Sequence, residues 1–239
     1  ENHLEIDTQD SSPSLASEIL ALSKPRVIEL LITTALPAMF LAARDFPDPV
    51  QIFGVLIGGT LAAGSSNAIN SILEKDIDTK MSRTRNRPMA QERLAPILAW
   101  TFAISAQIAS FLIVLFTCNL MAASFTLLAS FVYVVIYTIW LKPRTDQNIV
   151  IGGAAGALPV IIGYSAVTGN VSWQALVMFL IVFLWTPAHF WALATFHEED
   201  YRRGGFPMMP ITKGKRKTSF AILAYSVATS IASFFLILG

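Results

Sequence analysis

Long apolar runs recur through this chain, and they leave its backbone few folds to choose from. Residues 97–116 and 219–238 each hold 20 consecutive positions without one charged side chain. A helix of about 20 apolar residues crosses the roughly 30 Å hydrocarbon core of a bilayer. Seven such runs are predicted, over 26–43, 51–73, 96–116, 120–141, 148–168, 173–196 and 218–238, with short connections between them. In lipid every backbone N–H and C=O must pair internally, so only helices and closed barrels span a membrane. Barrel strands alternate in polarity and these runs do not, so the fold class predicted is all-α, a polytopic transmembrane helical bundle. A hydrophobic share of 54% with only 14% charged residues places the chain outside the soluble globular range.

Orientation follows from the cations, because loops rich in Lys and Arg stay cytoplasmic. Of the 17 Lys and Arg, all but Arg44 fall at or before the start of the first run or in the second-to-third, fourth-to-fifth and sixth-to-seventh connections. That alternation predicts a cytoplasmic amino terminus, and it would scramble if the helix count were wrong. The basic loops also suit contact with anionic lipid. They flank spans instead of forming a soluble basic domain, so no nucleic-acid partner is expected. The lone Cys118 offers no intramolecular disulfide and reports no redox compartment.

Residues 1–23 carry five carboxylates ahead of Lys24 and lack both a signal-peptide apolar core and the arginine content of a transit peptide. A disordered polar tail is expected there, preceding a membrane domain over 24–239 in a bacterial cytoplasmic membrane. The apolar run still under way at residue 238 predicts further carboxyl-terminal helices in the whole domain.

Polar groups stand where lipid would forbid them. Asn70, Glu74 and Asp78 recur at every fourth residue where the second run ends, so a helix would line them up on one face turned into the bundle, with Asp76 pointing elsewhere. Carboxylates crowded in a low dielectric call for a cation. An oxygen-only set suits magnesium, which keeps waters and shares phosphate oxygens. Arg83, Arg85 and Arg87 follow within the same loop, and guanidinium groups grip phosphates in pairs of hydrogen bonds. Together these residues describe a receptor for a metal–diphosphate complex. A salt-bridge cluster at a helix end is the competing reading, although ionisable residues inside a span point to function by default.

A second polar concentration closes the sixth run. His189 and His197 are eight residues apart and would share a helix face, each reading either as a hydrogen-bonded core group or as a group facing substrate. Pro187 is expected to bend that helix. Trp185 and Trp191 suit packing, an interfacial belt or stabilisation of a cation by their ring faces. Asp200 reads as a ligand or as the exposed ion-pair partner of Arg202 or Arg203.

These blocks carry a family resemblance. Asn70-x3-Glu74-x3-Asp78, followed by Arg83-Thr84-Arg85-Asn86-Arg87-Pro88, resembles the first acidic motif of the UbiA superfamily of intramembrane prenyltransferases. The protohaem IX farnesyltransferase (haem O synthase) branch is suggested by Tyr137-Thr138-x2-Leu141-Lys142, residues 148–153, Trp185-Thr186-Pro187-x-His189-Phe190-Trp191 and Glu199-Asp200-Tyr201. The resemblance runs from about Lys24 to Lys217. It implies a nine-helix bundle with a cavity open to lipid, bound Mg2+, farnesyl diphosphate as donor and haem B as acceptor, the product being haem O for terminal oxidases. Haem A synthase and oxidase assembly factors are the protein partners it would imply. By matching position, Asn70, Glu74 and Asp78 would organise the first metal and Asp200 would serve a second acidic site. Arg83, Arg87 and Lys142 would hold diphosphate, Tyr137 would line the site near the allylic carbon or hydrogen-bond the leaving group, and His189, His197 and Tyr201 would contact substrate. One departure stands out: Phe196 occupies the place four before Asp200 where many superfamily members carry a second aspartate, with His197, Glu198 or Glu199 as possible substitutes.

Breaking an allylic carbon–oxygen bond puts negative charge on diphosphate and positive charge on an isoprenoid carbon. Such a site needs cations at one end and a dry, aromatic-lined pocket at the other. Three rival classes remain: a sister prenyltransferase acting on a quinone or chlorophyll precursor, a transporter, and a purely structural or haem-binding membrane subunit. A transporter predicts paired broken helices or an internal repeat, and a haem-binding subunit would have no use for the acidic row.

Overall fold

The computed structural model describes residues 13–237. The first half of the chain forms α1 (Leu15–Ser23), α2 (Pro25–Ala43), α3 (Pro49–Leu73), the short α4 (Lys75–Asp78) and α5 (Pro96–Thr117). Next comes α6 (Leu120–Phe131), which continues directly as a π-helical segment, Val132–Leu141. Then follow α7 (Asn148–Thr168), α8 (Trp173–Phe196), α9 (Glu198–Arg203), α10 (Met209–Lys213) and α11 (Lys215–Ile237). Seven helices are long and apolar enough to cross a bilayer, and they coincide with the seven runs to within a few residues. The chain is a multi-pass membrane protein.

Local chemistry sets the helix boundaries. Proline opens α2, α3 and α5 at Pro25, Pro49 and Pro96, where its missing N–H costs nothing. Asp48, Asn119 and Ser172 each cap a helix by accepting a hydrogen bond from a first-turn amide, that of Val50, Ala122 and Ala175. Thr101, Thr117, Thr126 and Thr229 donate to the carbonyl four residues back, so their hydroxyls are satisfied without water. α8 runs on through Pro187, which lies buried inside it.

Association of these helices in lipid depends on close packing of small residues. Gly58 of α3 lies against Val114 of α5, and Ser110 donates to the Gly58 carbonyl at 2.6 Å. Gly163 of α7 lies so close to the backbone of α2 that a Cβ there would overlap the Ala35 carbonyl oxygen. Backbone cannot move aside as a side chain can. Gly163→Val is therefore expected to destabilise the protein by about 1–3 kcal/mol through overpacking, measured by thermal unfolding in detergent; an unchanged midpoint would contradict this packing. α7 is the most buried of the spanning helices, touching α2, α3, α6, the π-helical segment and α8. Outward-facing Phe116, Phe196 and Phe234 are left to lipid.

Two expectations need correcting. The polar tail expected over 1–23 is helical from Leu15, because Leu22 packs with Ala68 and Leu94 and because Glu18 and Ser23 are buried against the bundle. The part of that expectation covering residues 1–12 lies outside the described residues. Secondly, Asn70, Glu74 and Asp78 do not sit on one unbroken helix. α3 stops at Leu73, and Glu74 takes φ −99°, ψ 7° before α4 begins. The Glu74 amide still donates to Asn70 O and the Asp78 amide to Glu74 O, at 3.0 and 2.8 Å, so the four-residue spacing survives the break.

Candidate active site

Four polar connections meet at one end of the bundle. Lys24 precedes α2, Glu74 and Asp78 follow α3, Lys142 follows the π-helical segment, and Tyr201 lies on α9 beyond α8; all line one cavity of about 330 Å³. Along α7 its wall extends from Ile149 to Ile162, which is roughly 20 Å of helix axis. The deep wall is apolar, contributed by residues such as Leu31, Val55, Ala62, Pro159 and Val182. The space is greasy along its length and charged at its mouth.

At that mouth each oxygen-bearing side chain meets a cation. Lys24 donates to Asn70 Oδ1 at 2.7 Å. Lys142 donates to both Glu74 oxygens at 2.6 and 2.7 Å, and one Arg87 nitrogen reaches both Asp78 oxygens at 2.9 and 2.8 Å. Asn70, Glu74 and Asp78 are all buried. A buried carboxylate deprived of its partner costs several kcal/mol, which explains why the carboxylates come with partners. Burial pulls both lysines below their ordinary range, Lys24 the further, with Arg87 repelling each and Glu74 and Asp78 partly restoring the charge.

The π-helical segment shapes this mouth. Its wider turn sets the Lys142 amide on the Tyr137 carbonyl and the Thr138 hydroxyl on the Tyr133 carbonyl, both five residues back and both at 2.9 Å. As a result Tyr133 and Tyr137 both face the cavity with ring centroids 5.7 Å apart, Thr138 Oγ1 accepts from Asn70 Nδ2, and Lys142 reaches Glu74. Such segments concentrate at functional sites. Gly152 of α7 makes room for the Tyr137 ring, which a Cβ would strike. The ammonium of Lys142 also lies 4.4 Å from the centre of the Phe206 ring. Arg83 donates to the Tyr201 hydroxyl at 3.1 Å and stands over its ring.

Of the residues singled out in the sequence, Asn70, Glu74, Asp78, Arg83, Arg87, Tyr137, Lys142 and Tyr201 line this cavity. Asp200, His189 and His197 do not. His189 stacks on Trp185, ring centroids 4.4 Å apart, so the tryptophan and not the histidine lines the wall. His197 ends α8 as its cap. The Asp200 carboxylate accepts hydrogen bonds from the Ser82 and Arg83 amides, each 3.1 Å. Burial pushes its pKa up, but those bonds and the Arg203 charge outweigh it and hold the group below the usual carboxylate range. Asp200 thus braces the loop that presents Arg83. Asp200→Asn is expected to weaken binding of an anionic head group at this mouth about tenfold, the scale of one charge-assisted hydrogen bond, while turnover persists at saturating substrate; complete loss of turnover would return Asp200 to a metal-ligand role.

Lys24, Tyr133, Thr138 and Phe206 were not recognised as site residues in the sequence. Lys24 reads only as a topology signal, Thr138 stands in the Tyr137-Thr138-x2-Leu141-Lys142 motif without a role of its own, and Tyr133 and Phe206 carry no local mark beyond the apolar or polar character of their neighbours.

A lipid-spanning helical bundle with a long apolar cavity closed by cations and buried carboxylates has the form of an intramembrane enzyme for an apolar chain with an anionic head. The chain matches the UbiA prenyltransferase family over residues 31–239, and it belongs to that family; it is a prenyltransferase. It is 50% identical over 218 residues to protoheme IX farnesyltransferase 1 of Saccharopolyspora erythraea, covering 91% of this chain and 70% of that protein. It is 47% identical over 232 residues to the protoheme IX farnesyltransferase of Mycobacterium avium, covering 97% and 75%. A UbiA homolog from Archaeoglobus fulgidus, solved bound to DMAPP and Mg2+, shares the fold with a TM-score of 0.75 at 17% identity over 93% of this chain and 78% of that one. The apo UbiA homolog from Aeropyrum pernix K1 superposes with a TM-score of 0.70 at 18% identity, covering 92% and 78%.

Proposed function

We propose that this protein transfers the farnesyl group of farnesyl diphosphate to a vinyl group of haem B, making haem O, in a bacterial cytoplasmic membrane with its amino terminus on the cytoplasmic side. The observation that carries the reading is the cavity itself: a roughly 20 Å apolar trough ending at Asn70, Glu74 and Asp78 amid Lys24, Arg87 and Lys142. The choice of acceptor rests on relatives at up to 50% identity that are named protoheme IX farnesyltransferases.

Magnesium fits the donor set. Among the described residues no three His, Cys, Asp or Glu side chains form a metal cage. Glu74 and Asp78 supply two carboxylates beside the Asn70 amide oxygen, and magnesium is commonly held by one or two carboxylates with substrate phosphates and waters completing its shell. When bound there, it would take up negative charge as that charge builds on the departing diphosphate.

The protein's own groups perform the rest. Lys142, Arg87, Arg83 and Lys24 surround the head group with positive charge and hold it at the cavity mouth. Their oxygen partners at Glu74, Asp78 and Asn70 keep those side chains aimed before substrate arrives. The apolar wall keeps water from the ionising allylic carbon, and the tyrosine rings at 133 and 137 offer their faces to developing positive charge. The product's hydroxyl requires a water at the acceptor end, so the two ends of the reaction differ in wetness.

The test is direct. Membranes containing the protein are incubated with haem B, magnesium and farnesyl diphosphate, and extracted porphyrins are examined by mass spectrometry. Haem O formation supports the reading. Prenylation of a quinone or chlorophyll precursor with haem B left unchanged would reassign the acceptor, and substrate flux through liposomes with no product would overturn the enzymatic reading.

A further inference from the structure

A part-buried ion pair outside the cavity, Glu18 with Arg93, takes no part in the chemistry of the site. Glu18 of α1 is 5% exposed, an unusual place for a carboxylate. Arg93 donates to both of its oxygens, Nε to Oε1 at 2.7 Å and Nη2 to Oε2 at 3.4 Å. The same Nη2 donates to the Asn86 carbonyl at 3.0 Å. Asn86 adjoins Arg87, whose guanidinium holds Asp78. At its other end α1 leads into Lys24, which adopts φ 55° and donates to Asn70. The Ser23 carbonyl between them accepts from Asn67 Nδ2 at 2.9 Å. The arginine loop and the lysine elbow, distant in sequence, are therefore joined through one ion pair.

We propose that Glu18 and Arg93 form a positioning clamp that ties α1 to the arginine loop and thereby sets Lys24 and Arg87 at the diphosphate end of the cavity. This rests on the reading of that end as the diphosphate site. The fork of Arg93 suits the task because a planar guanidinium can meet a carboxylate on one edge and still spend a donor on a backbone carbonyl. Neither residue lines the cavity, so the clamp acts only through the groups it places. It predicts a selective defect: the donor should suffer and the acceptor should not.

The experiment compares Glu18→Gln, Arg93→Gln and the double variant in detergent. The dissociation constant for farnesyl diphosphate with magnesium is expected to rise about tenfold in each single variant, equivalent to about 1.4 kcal/mol, and by the same factor in the double. Two residues acting as one unit give such non-additivity. Haem B affinity stays within twofold of the parent. Arg93→Lys keeps the charge but loses the fork, and as the milder change it is expected to lose several-fold. Unchanged donor affinity, or equal losses for donor and haem B, would overturn the clamp. If the parent itself binds no farnesyl diphosphate, the functional reading falls, and hydrogen exchange then decides the clamp: faster exchange across residues 86–93 in Glu18→Gln upholds it, and unchanged exchange refutes it.

Discussion

Replacing Asp78 by Asn is expected to cut prenyl transfer by about 10³-fold or more while leaving the protein folded. Asp78 acts on the departing diphosphate through the cations it holds, a bound metal and Arg87, and loss of one such preorganised source of positive charge commonly costs about 10²–10³ in rate. The substitution preserves shape and one hydrogen-bond acceptor for Arg87, so the cavity keeps its walls. Arg87 has 26% of its side chain exposed and can turn to water, which limits the structural cost. Turnover is measured by product mass at saturating donor and acceptor, with unfolding temperature as the control. Normal turnover by a folded Asp78→Asn protein would remove the carboxylate from the mechanism.

A second large loss is expected from midway along the apolar trough by a wholly different cause. Gly156 lines the cavity and a Cβ built on it meets no other atom within 4 Å. A side chain there would leave the backbone without a clash at Cβ and point a larger group into the trough. Gly156→Phe is expected to lower turnover with farnesyl diphosphate by about 10²-fold, the scale of a small misplacement of the reacting atoms, with an unfolding temperature no lower than the parent's. A donor one or two isoprene units shorter should lose much less, because its tail ends before the obstruction. Equal loss for long and short donors would mean that the apolar trough does not hold the isoprenoid chain.

What the sequence discloses and what it hides divide along physical lines. Lipid imposes a length and a polarity on every span, so apolar runs alone placed helices over 51–73 and 148–168, within two residues of the observed Pro49–Leu73 and Asn148–Thr168. The spacing of Asn70, Glu74 and Asp78 was legible because a single turn of backbone relates each to the next. The break at Glu74 was not, since nothing in the composition of residues 70–78 marks it, and the i→i−4 bonds on either side conceal its effect. Asp200 shows the converse. Its match to the second acidic motif suggested a ligand, while the partners its carboxylate meets are amides at Ser82 and Arg83, over a hundred residues earlier in the chain. Lys24 was hidden for the same reason, because its partner Asn70 lies on another helix. α1 was mistaken for tail because its burial depends on Leu22 and Glu18 finding partners near residues 68 and 93, which no local window contains. The π-helical register at Val132–Leu141 leaves no polarity signal at all.

The central claim is that Glu74 and Asp78, with Asn70, hold a divalent cation against the diphosphate of the donor. Manganese can replace magnesium in such an oxygen site and is visible by electron paramagnetic resonance. With a non-reacting thio analogue of farnesyl diphosphate present, protein-bound manganese should show coupling to phosphorus, and that signal should vanish in Glu74→Gln and Asp78→Asn while surviving in Asp76→Asn. Phosphorus-coupled manganese that persists unchanged in both cavity variants would contradict the account.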